Sequence, residues 1–446
     1  MNSSLMNATR AVLPRRKLPI GLQTLSEIRS GGCYYVDKTA QIIDLVDSGK
    51  CFFLSRPRRF GKSLLVDTMK ALFEGEQALF TGLAAETRWD WSRRHPVIRI
   101  SFGGGVVSSE AGLVQRIQHG LRGNFRALGL ARADDIPFDD VAGHLADLIE
   151  RAHAASGQQA VVLVDEYDKP ILDNITEPAT ARLMREGLRN LYSVLKEMDA
   201  HLKFVFLTGV SKFSKGSLFS GLNNLRDITL DPHYSALCGY TEHDVDTVFA
   251  PELPGLDREQ IRRWYNGYNW GGTSVYNPFD VLLLFQNRQF QPYWFETGTP
   301  TFLVRLLTER GFHTPDLSRL HGSLTLLSSF DVDRIEPEAL LFQAGYLTLH
   351  GVTEPLPGQQ VYTLGYPNRE VEASLNAALL YGHGVPERPS FDTRIRLVEV
   401  LRQGDTAALR ELFHAFFASI PNDWYRNNPI ARFEGYWASI FYSHFA

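Results

Sequence analysis

Cysteine is scarce in this chain, with three in 446 residues at positions 33, 51 and 238. An odd, widely spaced set suits neither a disulfide framework nor a zinc site. It fits a reducing compartment, so a cytoplasmic location is expected. No apolar run reaches the roughly 20 residues that cross a bilayer, and no membrane partner is expected. The opening MNSSLMNATRAVLPRRKLPIGL lacks the apolar core of a secretory signal and reads as a tail over 1–16. Charge of one sign is missing too. At net −4 the whole chain has no electrostatic reason to hold nucleic acid, although a local basic patch stays open. The thirteen histidines form no H-E-x-x-H pattern and no G-x-S-x-G elbow occurs, which argues against a metalloprotease or a serine hydrolase. Internal repeats and low-complexity tracts are absent as well.

What is present is alternation. Short apolar, β-rich runs at 51–54, 97–102, 160–164 and 204–207, with a weaker one at 227–230, are separated by helical patterns. Continuous apolar runs suit strands covered on both faces, as in a parallel sheet. In LMREGLRNLYSVLKEM, Met184, Leu188, Leu191, Leu195 and Met198 recur at helical spacing. The expected fold is therefore α/β, a parallel sheet sandwiched by helices, over 17–235. Over 236–390 the texture changes to short helices broken by Gly, Asn and Pro, followed by mixed segments. Over 391–446 it is helical again.

Residues 52–73, FFLSRPRRFGKSLLVDTMKALF, read as strand, turn and helix with Gly-Lys-Ser at the joint. A phosphate cradle needs converging backbone N–H groups, a helix N-terminus and a cation that reaches the anion. Here the amides of Arg59, Phe60, Gly61, Lys62, Ser63 and Leu64 would supply donors. Lys62 would reach the β- and γ-phosphates, Ser63 would ligate Mg²⁺, and Arg58 and Arg59 would point to solvent or add charge. The usual loop has glycine five positions before Gly61, where this chain has Arg56, so that position must adopt a conformation a non-glycine residue tolerates. On its own GKS also fits a basic surface turn. A second motif favours the cradle: VVLVDEYDKP, about 100 residues on, is an apolar strand ending in two acids. Asp165 would hold Mg²⁺ through water and Glu166 would polarise the attacking water. ATP with Mg²⁺ is the expected ligand pair. Asp168 reads as a further acid or as the cap of the following turn.

Several residues keep two readings. Thr208, ending the run in FVFLTGVSKFSKGSLF, could sense the γ-phosphate or bond to its own backbone. Lys212, Lys215 and Arg226 could stabilise transition-state charge, within the chain or in a neighbour, or simply be solvated. Tyr34 and Tyr35 could flank the adenine or belong to the core. The triplet Gly103, Gly104 and Gly105 has no Lys or Ser/Thr partner and reads as a loop.

Taken together, YYVDKT, SRPRRFGKSLL, VVLVDEYDKP, LTGVSKFSKGSLFSGLNNL and CGYTEHDV resemble, in order and spacing, the bacterial AAA-ATPase-like family over about residues 17–380. That family itself uses the RPRRFGKS form. The resemblance implies a P-loop ATPase of the additional-strand class, with Lys62, Ser63, Asp165 and Glu166 in the usual roles and Thr208 as sensor. It also implies a winged-helix-like or helical segment after the core. By analogy alone it implies self-association, a nucleic-acid or protein partner, and a setting in mobile-element biology or defence. Such proteins pair the ATPase with a PD-(D/E)XK nuclease domain. FEGYWASIFYSHFA resembles that domain's opening helix, and the G-x-x-D and E-x-K segments that follow in the family are absent. Glu434 alone could not hold a metal and position water, so nuclease activity is not expected of this chain. The sequence thus predicts an ATP-hydrolysing switch; the alternative is a nucleotide-gated interaction module with negligible hydrolysis.

Overall fold

The computed structural model describes residues 14–213, 218, 219, 222, 224–298, 303, 304, 307, 317–324, 327, 336–382, 387–418, 420 and 434–445. Lys215 and most of the expected tail lie outside these residues, and so does the side chain of Glu434. Two short helices, α1 (Leu25–Ser30) and α2 (Thr39–Ser48), come first. They are followed by β1 (Cys51–Ser55), α3 (Lys62–Glu74), α4 (Ala85–Arg88), β2 (Val97–Ser101), α5 (Glu110–Ala127), α6 (Val141–Ser156), β3 (Ala160–Asp165), α7 (Lys169–Leu172), α8 (Pro178–Glu197), β4 (Leu202–Gly209) and β5 (Arg226–Asp227).

The four strong apolar runs are the strands β1 to β4. The weak fifth shrinks to the two residues of β5. Every residue of β1 and β3 is buried, as expected of strands covered on both faces. The helix expected from the Met184 to Leu195 spacing is α8, which turns that face inward. A Cβ on Gly187 would stand 2.7 Å from Leu113 Cδ2, so the missing side chain lets α8 close on α5.

The sheet order is β2-β3-β4-β1-β5 with every pairing parallel, so β4 is the additional strand between β1 and β3. This order positions the site. In a parallel sheet all carboxyl ends share one edge, where ligands bind. The ends of β1 and β3 therefore open onto the same cleft, about 10 Å apart at the usual strand spacing, although about 100 residues separate them in the chain.

The rest of the chain forms α9 (Glu242–Thr247), α10 (Arg258–Tyr265), α11 (Pro278–Asn287), α12 (Tyr293–Gly298), β6 (Leu320–Ser323), α13 (Pro337–Ala344), β7 (Thr348–Leu356), β8 (Gln359–Gly365), α14 (Arg369–Gly382), α15 (Glu387–Gln403), α16 (Thr406–Ala418) and α17 (Glu434–Phe445). Strands β6, β8 and β7 make an antiparallel sheet in that order. One apolar core runs from Leu25 to Leu379. A second joins Tyr34 and Val36 to α9, α10 and α11, and a third joins α14, α16 and α17. A capping box of Thr241 and Asp244 opens α9, and Asp244 also pairs with Lys38 at 2.8 Å. No described helix is long and apolar enough to cross a membrane.

Between α11 and α14 two acids meet in the interior. Glu370 accepts from the amides of Trp294 (2.8 Å) and Phe295 (3.2 Å) at the start of α12. Asp280 faces it, fully buried, and a hydrogen bond between the two carboxyls requires one of them to carry a proton. Burial, and then the neighbouring Glu370, hold the Asp280 carboxyl well above the usual carboxylate range. A carboxyl whose pKa is raised by folding contributes its full stability at low pH and loses it as pH rises through the folded value. Asp280→Asn cannot ionise. Its melting temperature is expected to rise relative to wild type between about pH 5 and about pH 8, whereas a difference that stays constant across that window contradicts a protonated Asp280.

Candidate functional site

The loop after β1 departs from the usual phosphate cradle at Arg56, and the structure gives the reason. The Arg56 amide donates to Gly209 O (3.1 Å), so residue 56 extends the β1–β4 ladder and needs no left-handed backbone. Its side chain is fully buried. Nη1 donates to Ser55 O (2.8 Å) and Thr229 O (2.9 Å), and Nη2 donates to Tyr234 O (3.1 Å). The guanidinium stands 4.1 Å from the centre of the Trp270 ring. Burial lowers its pKa to about 10, which leaves it cationic at neutral pH.

Each following residue is held from the carboxyl-terminal half. Pro57 meets Gly345, where a Cβ would lie 2.7 Å from Pro57 Cγ. Trp294 Nε1 donates to Arg58 O (3.1 Å). Arg58 and Arg59 are exposed, and the Arg59 guanidinium sits 4.8 Å from the centre of the Phe279 ring. Phe60 lines the cleft, and its buried ring packs edge-on against Tyr268 and Trp270. Gly61, at φ +88°, makes the left-handed turn that caps α3, a conformation that favours glycine. The first amide returned to the helix is that of Leu65, bonded to Gly61 O at 2.9 Å. Those of Lys62, Ser63 and Leu64 have no helical acceptor and are free for an anion.

Lys62 is buried and donates from Nζ to Arg56 O and Pro57 O, both at 2.8 Å. Burial lowers its pKa, opposed chiefly by the charge of Asp165. Asp165 ends β3 at 2% exposure, and its Oδ1 has no hydrogen-bond partner among the described residues. Glu166 follows with a left-handed φ of +53°. Its pKa is raised, first by burial and then by the adjacent Asp165. A carboxylate pushed upward in this way is a better proton acceptor near neutrality.

Lys62, Ser63, Glu166 and Asp168 line one cleft of about 580 Å³, a volume suited to a small cofactor, whereas Asp165 is not among its lining residues. Lys62, Ser63 and Glu166 form its polar end, while Ile28, Val36, Tyr240, Phe279 and Leu282 form apolar wall. Tyr34 and Tyr35 line it and are core aromatics as well. The Tyr34 hydroxyl donates to Glu252 Oε1 (3.0 Å), and Tyr35 stands 3.4 Å from Thr68 Oγ1 with its hydroxyl pushed by burial to about 12. Sequence reasoning missed Phe279 and Leu282. Their signal was NPFD, in which Asn277 caps α11 and Pro278 follows, aiming the first turn at the cleft.

Other expectations need correction. The Thr208 hydroxyl is fully buried and donates to Leu54 O (2.8 Å), its register partner across β1–β4. It holds strands together and does not face the cleft as a sensor. Asp168 makes no side-chain cap for α7. Its carboxylate accepts from Val210 N (3.1 Å), Ser211 N (2.6 Å) and Ser211 Oγ (2.6 Å), tying the turn after β3 to the segment after β4. Lys212 is paired with Asp227 in β5. Arg226 pairs with Asp231 at 2.9 Å and lies opposite Phe52, near the amino end of β1 and away from the loop.

The fit to magnesium can be judged from these side chains. No group of three His, Cys, Asp or Glu among the described residues could hold a cation by itself. The unpartnered Oδ1 of Asp165 and the Ser63 hydroxyl suit an ion that takes its remaining ligands from phosphate and water, as Mg²⁺ does.

A family model described as "Predicted AAA-ATPase" matches residues 19–219. The chain is 60% identical over 436 residues to the "Uncharacterized protein in vnfD 5'region" of Azotobacter chroococcum mcd 1, a match covering 97% of this chain and 83% of that protein. No solved structure matches.

The arrangement predicts that restoring the usual glycine does harm. Arg56→Gly would strand the carbonyls of Thr229 and Tyr234 and empty the space over Trp270. It is expected to cost on the order of 2–4 kcal/mol in chemical denaturation. An unchanged denaturation midpoint would contradict the structural role of Arg56.

Proposed function

Because the chain belongs to the predicted AAA-ATPase family, we propose that its cleft binds ATP with Mg²⁺ and hydrolyses it, with α9 to α11 reading the nucleotide state. The observation that carries this reading is the convergence on one cleft of the free first-turn amides of α3, the Lys62 ammonium and the raised Glu166 carboxyl, with the unpartnered Asp165 oxygen at the end of β3 close enough to act on both charges. The amides of Lys62, Ser63 and Leu64 cradle the phosphates, and the Lys62 ammonium neutralises their charge. Ser63 and Asp165 would hold Mg²⁺, which supplies charge stabilisation to the phosphates when bound. Glu166 orients a water and takes its proton as the water oxygen attacks the γ-phosphorus. The bond to the β–γ bridging oxygen breaks, leaving ADP and phosphate.

The switch part of the proposal rests on Phe279 and Leu282. Both belong to α11 and line the cleft, and Arg59 of the loop stacks on Phe279, so a change at the phosphates reaches the carboxyl-terminal half directly. Three buried, unbridged cysteines support a cytoplasmic setting. Self-association has the resemblance behind it, since Lys212 and Arg226 are paired away from the cleft while Arg58, Arg59 and Lys169 of the same chain line it. Turnover per chain that stays constant on dilution would remove that part. The mobile-element or defence setting has only the resemblance behind it.

One observation favours the alternative of a nucleotide-gated module with negligible hydrolysis. Two of the three Lys62 N–H donors are already engaged by loop carbonyls. Two variants separate the readings. Glu166→Gln should keep Mg·ATP affinity while turnover falls by roughly 10²-fold or more. Lys62→Ala should weaken binding by about 10- to 150-fold, the equivalent of about 1.5–3 kcal/mol. Wild-type turnover indistinguishable from that of Glu166→Gln would leave the gated module, and unaltered affinity in folded Lys62→Ala would remove the nucleotide site.

A further inference from the structure

Gly103, two residues beyond β2, lines the cleft and borders Glu166. Its neighbours tie the loop to the acidic turn. Phe102 N donates to Asp165 O (3.2 Å), Gly103 N to Ser101 Oγ (3.3 Å), and Lys169 Nζ to Gly105 O (3.2 Å). Asn174 Nδ2 donates to Val107 O (2.6 Å) at the far side. Unlike Gly105, at φ +65°, Gly103 has no left-handed backbone to explain its glycine. The missing side chain does. A Cβ there would stand 3.0 Å from Glu166 Oε2, 3.5 Å from its Cδ and 3.5 Å from Ser101 Oγ. The Glu166 backbone is held, being left-handed with its carbonyl accepting from Lys169 N at 3.1 Å, so the carboxylate can yield only by turning about its own side-chain bonds, which moves it from its place against the cleft.

We propose that Gly103 is a positioning residue for hydrolysis: the empty space at its α-carbon fixes where the Glu166 carboxylate stands against the cleft. This rests on the reading of Glu166 as proton acceptor. In that role Oε2 takes a proton from the water as the water oxygen bonds to the γ-phosphorus and ADP leaves. A base works within about 2.6–3.2 Å of the proton it removes, and a displacement of about 1 Å can cost 10²-fold. A methyl group at 103 forces Oε2 to give way by a few tenths of an ångström, and a branched side chain forces more. Gly104 is the internal control. A Cβ there would meet only the end of the flexible Arg116 side chain, at 2.5 Å from Nη1, and that end can swing aside.

The test is steady-state ATP turnover and Mg·ATP affinity for wild type, Gly103→Ala, Gly103→Val, Gly104→Ala and Glu166→Gln, with Gly103→Ala also combined with Glu166→Gln. The expected result is turnover reduced by about 10-fold for Gly103→Ala and by about 10²-fold for Gly103→Val. Affinity should stay within about twofold, which also reports that the variants are folded, and Gly104→Ala should stay near wild type. In the Glu166→Gln background Gly103→Ala should add nothing, because the group it displaces is already inert. Should Gly103→Val fail to bind nucleotide, Gly103→Ala decides. Wild-type turnover in the Gly103 variants, or a loss that persists in the Glu166→Gln background, overturns the proposal while leaving the ATPase reading intact. Wild-type turnover in Glu166→Gln overturns the proposal together with the reading of Glu166 as proton acceptor.

Discussion

The guanidinium of Arg56 carries a positive charge into the interior, and the geometry of the phosphate loop follows from how that charge is satisfied. A buried ion costs several kcal/mol unless it is well hydrogen-bonded. Here three carbonyls and the face of Trp270 replace most of the lost water, and only Nε of the guanidinium has no hydrogen-bond partner among the described residues. One acceptor belongs to the preceding residue, Ser55, and the other two, Thr229 and Tyr234, to the segment after β5, so with Trp270 the side chain fixes the base of the loop to two distant parts of the chain. Phe60 in its box of Tyr268 and Trp270, and Trp294 on Arg58 O, extend the same attachment along the loop. The family match ends at residue 219, yet the loop is held and the cleft is walled by residues well beyond it. The candidate site is thus a joint product of the two halves of the chain.

Strain gathers at the same place. Among the described residues only Arg59, Glu166 and Arg288 combine a side chain with positive φ, and two of the three border the cleft. Such conformations cost about 1–3 kcal/mol each and persist where surrounding contacts impose them. Arg59 is held by its neighbours in the loop. Glu166 is held by the end of β3, by Lys169 and by the space at Gly103. The raised Glu166 carboxyl and the unpartnered Asp165 oxygen lie within this constrained segment, so the electrostatic and conformational costs fall on one turn.

Much of this was legible in the sequence, for physical reasons. Continuous apolar runs have few uses other than doubly covered strands, so β1 to β4 could be placed within a residue or two. GKS and DEYD could be joined because parallel strands bring their carboxyl ends to one edge. What could not be read depends on contacts distant in sequence. Whether Thr208 faces the cleft or Leu54 O depends on the β1–β4 register. Asp168 looked like a helix cap because its partners, Val210 and Ser211, lie some 40 residues away. The wall from α11 was missed for the same reason, although NPFD marked a capped helix start.

The central claim is that this loop, held from both halves of the chain, forms a nucleotide site. Calorimetric titration of Mg·ATP into the purified wild-type chain tests it most directly. The account predicts saturable binding of one nucleotide per chain, weakened when the metal is chelated, because Ser63 and Asp165 then lose the ion they share with the phosphates. Absence of saturable binding by a folded protein, with and without the metal, would contradict it.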